Sequence, residues 1–232
     1  MALILNIETA TKICSVALAK DGKVIASKET SEGNSHSTQL APFIKEIMEQ
    51  SEYSFTDLQA IAVSMGPGSY TGLRIGVSTA KGLCFGLDIP LIAISTLEAM
   101  AVQAKNQYPN LAENILLSPM IDARRMEAYS QFFDTEIKPL NEISAIVVDE
   151  ETYKAELAKH PILFFGDGAL KCKPIINNPE ALFFDGGLPS AEGMAPIAER
   201  QFQSGNFVDV AYFEPFYLKE FVAAVSKVKG LK

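Results

Sequence analysis

Residues 66 to 76 read Gly66-Pro67-Gly68-Ser69-Tyr70-Thr71-Gly72-Leu73-Arg74-Ile75-Gly76, between the apolar run Ala60–Met65 and a helix predicted over Thr71–Phe85. A buried strand that turns through glycines into a helix places the chain in the α/β class, because glycine permits positive φ and close backbone approach. A helix N-terminus of this kind favours an anion, so phosphate is the first ligand to consider. No Gly-Lys-Ser/Thr follows, and Thr71 stands where a dinucleotide fingerprint has its third glycine. Within the helix, Gly72, Gly76 and Ala80 are four apart and share one face. Glycine inside a helix costs ~1 kcal/mol relative to alanine, so a close approach is expected there. Two partners fit that face: the chain's own sheet, or a helix of another protein.

The elements around this turn form a series. Leu3–Ile7, Ile13–Ala19 and Lys23–Thr30 are predicted strands, the last two joined by Asp21-Gly22, a hairpin turn pair that tolerates positive φ. Ser37–Gln50 is an amphipathic helix with Leu40, Phe43, Ile44, Ile47 and Met48 at three- and four-residue spacing, and Ser35 or His36 lies at its start. Pro90–Ile94 is a strand, and Ser95 to Glu98 has capping-box spacing before a helix to about Gln107. The order is three strands, helix, strand, helix, strand, helix.

The second half is predicted to repeat it. Ile115–Ile121, Met126–Phe133 and Ala145–Val148 are strand candidates, followed by a helix over Glu150–Lys159 and a strand Ile162–Phe165. Gly166-Asp167-Gly168, a short strand Leu182–Phe184 and a helix Ser190–Gln203 complete it, and Leu218–Val228 reads as a last helix. This twofold order is that of the actin-like ATPase fold, two ribonuclease-H-like domains side by side. The expected division is 1–108 and a smaller 109–214, with a C-terminal helix near 215–232 packing on the first.

With 28 acidic and 20 basic residues, the net charge of −8 works against independent binding of a polyanion. Three scattered cysteines, Cys14, Cys84 and Cys172, form no CxxC pair and suit a reducing compartment. No basic-led apolar leader and no run of ~20 apolar residues occurs, so a cytoplasmic, membrane-free location is expected.

Other segments are open to two readings each. Glu8 and Thr9 end the first strand, where an actin-like enzyme places an acid facing metal-bound phosphates; an ordinary strand-to-turn pair is the alternative. Arg124 and Arg125 in Asp122-Ala123-Arg124-Arg125 suit paired hydrogen bonds to phosphate or carboxylate, or a solvated hairpin rim. His36 lacks a second histidine three or four residues on, where Gln39 and Leu40 stand, so a helix-start role is expected and a metal is not. His160 ends a helix, where an imidazolium suits the dipole. No Ser-His-Asp or Cys-His set can be assembled.

Asn6-Ile7-Glu8-Thr9, His36-Ser37 before Leu40, Gly66–Gly76 with Ala80-Lys81-Gly82, and Ile94 to Glu98 together resemble the TsaB (YeaZ) family. Asp122 to Arg125, Gly166-Asp167-Gly168 and Glu214-Pro215-Phe216-Tyr217-Leu218 extend the resemblance to the second half. The family is the partner subunit in making threonylcarbamoyladenosine, next to the anticodon of tRNAs reading codons that begin with A. The resemblance implies a non-catalytic chain that binds TsaD, with the ATPase TsaE joining, and that forms homodimers in isolation. It implies no cofactor or metal of its own, since ATP and metal belong to TsaD and TsaE and Leu40 replaces the second histidine of TsaD's HxxxH pair. Contact with tRNA is then indirect. Lys219 stands where the family's closing motif usually has arginine.

The partner interface expected from this resemblance is Ser37, Leu40, Gly66, Gly68, Ser69, Tyr70, Thr71, Gly72, Leu73, Arg74, Gly76, Val77 and Ala80, with Tyr70 and Arg74 at its rim. Gly76→Leu is expected to block pairing while leaving the monomer folded. Glu8, Thr9, Arg124 and Asp167 are a candidate vestigial ligand site. The alternative reading is an actin-like ATPase or small-molecule kinase using Glu8 and the inter-domain cleft. A metallopeptidase is a third, opposed by the missing histidine.

Overall fold

A computed structural model describes residues 2–32 and 36–219. Strand β1 (Leu3–Glu8) pairs antiparallel with β2 (Cys14–Lys20), which pairs with β3 (Lys23–Thr30). Asp21 and Gly22 have φ of 52° and 73°, as the hairpin requires. After helix α1 (His36–Gln50) and a 3-10 turn at Phe55–Asp57, β4 (Ala60–Gly66) adds parallel to β1. Helix α2 (Tyr70–Leu87) leads to β5 (Leu91–Ser95), parallel to β4, and helix α3 (Thr96–Gln107) follows. The sheet order is β3-β2-β1-β4-β5.

The second half contains β6 (Leu116–Asp122), β7 (Glu127–Ser130), β8 (Ser144–Val147), β9 (Ile162–Phe165) and β10 (Ala181–Phe184). Their order, β8-β7-β6-β9-β10, repeats the first sheet strand for strand, with the same antiparallel and parallel pairings. The expected duplication is present, on shorter strands. Its helices are not all present. In place of Glu150–Lys159 stands one turn, α4 (Lys154–Leu157), because the chain before it is folded back. Asp149 Oδ1 accepts bonds from the Glu151 and Thr152 amides, and Tyr153 has φ 69° with its ring buried. A second single turn, α5 (Ala169–Cys172), follows β9.

Helix α6 (Ala191–Gln203) packs across the expected division of the chain. Its Ala191, Met194, Ile197 and Ala198 pack with Ile4, Ala17, Ala62, Ile92 and Ile94 of the first sheet. In return α3 sets Leu97, Met100, Ala101 and Ala104 against Leu117, Phe133 and Phe165 of the second. Helix α6 thus closes the first half, while α3 lies between the halves, its Ala99 and Val102 packing with the first sheet's cluster. The two helices meet where a Cβ on Gly193 would lie closer than 3.0 Å to the Ala99 carbonyl oxygen. Ser95 caps α3 through the Glu98 amide at 3.5 Å, but the Glu98 carboxylate pairs with Arg200 of α6. Helical spacing says that a face is apolar, not which sheet it covers. On the opposite face of the first sheet, α1 and α2 bury Leu40, Phe43, Ile44, Ile47, Val77, Ala80 and Cys84 against Leu3, Leu5, Ile7, Val16 and Leu18.

After α6 the chain returns along the first half. Val208 bridges Leu91, and Lys81 Nζ donates to the carbonyls of Ala211 and Phe213 at 3.1 and 3.0 Å. The helix expected near 215–232 falls mostly on residues 220–232, outside the described residues, as does Ser35; 215–219 are not helical.

Candidate functional site

Parallel strands β1 and β4 end side by side, so the turn after Glu8 and the glycine run after Met65 meet at one end of the sheet. Alternation along β1 sends Ile7 toward α1 and α2, and Glu8 to the other face. Glu8 is fully buried. Its Oε1 accepts from the Ala10 amide at 2.6 Å and from Ser64 Oγ at 2.9 Å, while Oε2 has no partner among the described residues. Burial pushes its carboxyl up to about 7 against these bonds.

The glycine run closes over the same turn. Ser69 donates its backbone N–H to the Ala10 carbonyl at 2.6 Å, and its hydroxyl accepts from the Gly72 amide at 3.3 Å. Cβ atoms on Gly68, Gly72 and Gly76 would each lie closer than 3.0 Å to Ala10 or Thr9. The small-residue stripe therefore faces inward, onto the Thr9–Ala10 turn. This corrects the expectation that a partner helix packs on Gly72, Gly76 and Ala80: all three are buried within the chain, as are Leu40, Gly66, Leu73 and Val77. It also corrects the expectation that Gly76→Leu spares the monomer. Ser37, Ser69, Thr71 and Arg74 are exposed, and Gly68 and Tyr70 are partly so.

The expected rim is clipped to the chain itself. Arg74 lies over the Tyr70 ring at 4.1 Å and donates Nε to Tyr217 Oη at 3.2 Å; Tyr70 and Tyr217 have ring centroids 4.8 Å apart. The Phe216 amide bonds the Met65 carbonyl at 2.7 Å. This use of the Glu214–Leu218 segment was not legible, since none of its partners is near in sequence. Nor was that of His36, whose Nε2 lies 2.8 Å from the Thr11 carbonyl oxygen and ties α1 to the turn.

Asp167 and Arg124 belong to the second half, after β9 and between β6 and β7. Asp167 Oδ1 accepts from the Asp122 amide at 2.9 Å, and burial holds its carboxyl above the usual range. Arg124 is exposed at the tip of the β6–β7 hairpin. The four residues expected to form one vestigial ligand site are thus two buried, one partly buried and one exposed.

The outward face of α2 is different in kind. Thr71, Arg74, Ser78, Gly82, Phe85 and Gly86 are exposed, Phe85 by 87%, and among the described residues Cβ atoms on Gly82 and Gly86 would meet nothing within 4 Å.

The family described as TsaD, tRNA N6-adenosine threonylcarbamoyltransferase, matches residues 23–163. TsaB of Escherichia coli K12 is 36% identical over 95% of this chain and 96% of its own length. The chain belongs to the TsaB family. TsaB of Bacillus subtilis 168 is 33% identical over 75% of each chain. YeaZ from Pseudomonas aeruginosa, a solved structure, has a TM-score of 0.80 at 25% identity, covering 94% of this chain and 100% of that one. The activator of 2-hydroxyisocaproyl-CoA dehydratase from Clostridium difficile, with bound ADPNP, has a TM-score of 0.51 at 12% identity and shares the fold. The fold is the actin-like ATPase fold of two ribonuclease-H-like domains. The nucleotide which that fold class implies does not fit the residues of this TsaB-family chain. The Ser69 amide is taken by Ala10, the space over the glycines is filled by Thr9 and Ala10, and Glu8 is closed off from solvent. Among the described residues no helix is long and apolar enough to cross a membrane.

Proposed function

We propose that this chain is a non-catalytic subunit in the biosynthesis of threonylcarbamoyladenosine in tRNA. It docks the open face of α2, with the exposed start of α1 at Ser37, on a TsaD-like subunit, and a TsaE-like ATPase joins the pair. In isolation a second copy covers the same face. ATP and metal belong to the partners, and most of the tRNA surface is theirs too, in keeping with a net charge of −8.

The observation that carries this reading is the pair Gly82 and Gly86. Inside or ending a helix they weaken it, and nothing among the described residues uses the space they leave. A backbone brought close to that face, beside the exposed ring of Phe85, does use it. The name TsaB, carried by relatives over most of the chain, supplies the pathway.

Gly82→Arg separates docking from folding. Replacing an exposed helical glycine should stabilise the monomer by about 1 kcal/mol, raising Tm by roughly 2–4 °C for a chain of this size. Co-purification with the TsaD-like subunit should fall at least about tenfold, ~1.4 kcal/mol. Unchanged pairing beside the raised Tm would remove this face as the dock. Calorimetry with Mg-ATP on the isolated chain is expected to show no saturable binding; tight binding with turnover would favour the ATPase or kinase alternative.

A further inference from the structure

The structure holds a second outward feature that pairing through α2 does not use. Arg124 and Arg125, at the tip of the β6–β7 hairpin, have φ of 69° and 49°. Two successive non-glycine residues in the left-handed region are uncommon, and such backbone persists only where its surroundings impose it.

Here the surroundings do so from several sides. The Ala123 amide bonds the Glu127 carbonyl at 3.0 Å, and the Arg124 amide bonds Asp122 Oδ1 at 2.8 Å. Asp167 receives the Asp122 amide, and Lys171 Nζ reaches the Glu127 carbonyl at 2.6 Å. Lys171 also pairs with the Asp122 carboxylate, and Lys219 with that of Glu127. The acids flanking the tip are therefore neutralised by lysines. Both guanidiniums are exposed, with no side-chain hydrogen bond or ion pair among the described residues. Lys12 adds a third exposed cation facing Asp167.

We infer that the Arg124–Arg125 tip is a docking point for the phosphodiester backbone of RNA, used when this chain sits in its complex. The choice of RNA rests on the role proposed above, and it adds one direct contact to an otherwise indirect tie to tRNA. The charge physics favours RNA over an acidic protein. Exposed guanidinium–carboxylate pairs gain little, because both groups stay hydrated and screened. Against a polyphosphate, each exposed cation releases a condensed counterion, which favours binding without burial. Arginine's planar fork also suits phosphate oxygens in a way that lysine does not. A rigid, unburied, doubly cationic tip is suited to that task. Its two charges do not support binding by the isolated, acidic chain.

The test uses the chain reconstituted with its TsaD-like subunit and an unmodified tRNA transcript, with affinity measured against KCl concentration. Asparagine tolerates the left-handed region, so Arg124→Asn with Arg125→Asn should leave Tm and pairing unchanged. The slope of log affinity against log salt should shrink by about 1 to 2. At ~0.1 M salt, affinity should fall roughly 10- to 100-fold by the same counterion count. Arg→Lys at both positions should retain the slope. Should the double variant unfold, Arg124→Asn alone carries the test, with a slope change of about 1. An unchanged slope would overturn the inference, and so would loss of pairing with normal tRNA affinity in the complex that remains, which would make the tip a protein contact. A wild-type complex that modifies no tRNA would instead sink the proposed function.

Discussion

Gly72→Ala is expected to cost about 3 kcal/mol or more, while Gly82→Ala, ten residues further along the same helix, is expected to stabilise by about 1 kcal/mol. A Cβ on Gly72 would come closer than 3.0 Å to the Thr9 carbonyl oxygen, a backbone atom that cannot rotate away. That carbonyl belongs to a turn held by the Ser69–Ala10 bond and the His36 contact to Thr11. The helix must move off the turn, and Leu73 and Val77 must leave their places in the core. At Gly82 the new methyl meets nothing among the described residues and the helix gains alanine's propensity. Thermal unfolding reads the contrast: a loss of roughly 6–12 °C at Gly72 against a rise of roughly 2–4 °C at Gly82. Equal shifts at the two positions would remove the distinction between an inner and an outer face of α2.

The second large effect belongs to Glu8. Its carboxyl is raised from 4.5 to about 7 in the folded chain by burial. The folded state therefore holds a proton that the unfolded chain has released between those values. The group's contribution to stability is fullest below pH 4.5 and falls as pH rises toward 7, then stays level. The loss across that window is about 3 kcal/mol. Glu8→Gln keeps an oxygen for the Ala10 and Ser64 donors and has no charge to desolvate. Scanning calorimetry should show the variant melting roughly 5–10 °C above the parent at pH 8 and level with it near pH 4.5. Coincident melting at both pH values would show that Glu8 is ionised without cost. A carboxyl so held is a poor anchor for a metal–phosphate complex.

Local signals read well from the chain because their partners are local. Asp21-Gly22 announces its hairpin, and the strand and helix order announces two similar sheets. The direction of a stripe is another matter. Gly72, Gly76 and Ala80 recur every four residues, and so do Ser78, Gly82 and Gly86. Periodicity marks both as faces, but only Thr9 and Ala10, some sixty residues earlier, decide which is filled. The placing of α6 on the first sheet is hidden for the same reason, and so is the seating of Phe216 and Tyr217 on β4 and α2. In the candidate site, Glu8 and Thr9 were found by their place at a strand end. Their closure by Ser69 and Ser64 depends on the register of β1 with β4, which no single segment reveals.

The two helices at the junction of the halves, α3 and α6, have a mechanical consequence. In a protein whose halves each have a complete core, the halves can swing apart at little cost, and a cleft between them can open and shut. Here such a movement would pull Met194 and Ile197 from beneath Ile4 and Ile92, and Leu97 and Met100 from beneath Leu117 and Phe165. The hinge is locked by the apolar surface that both halves would expose to water. In this chain α2 and the arginine tip are carried on two halves joined through shared apolar packing.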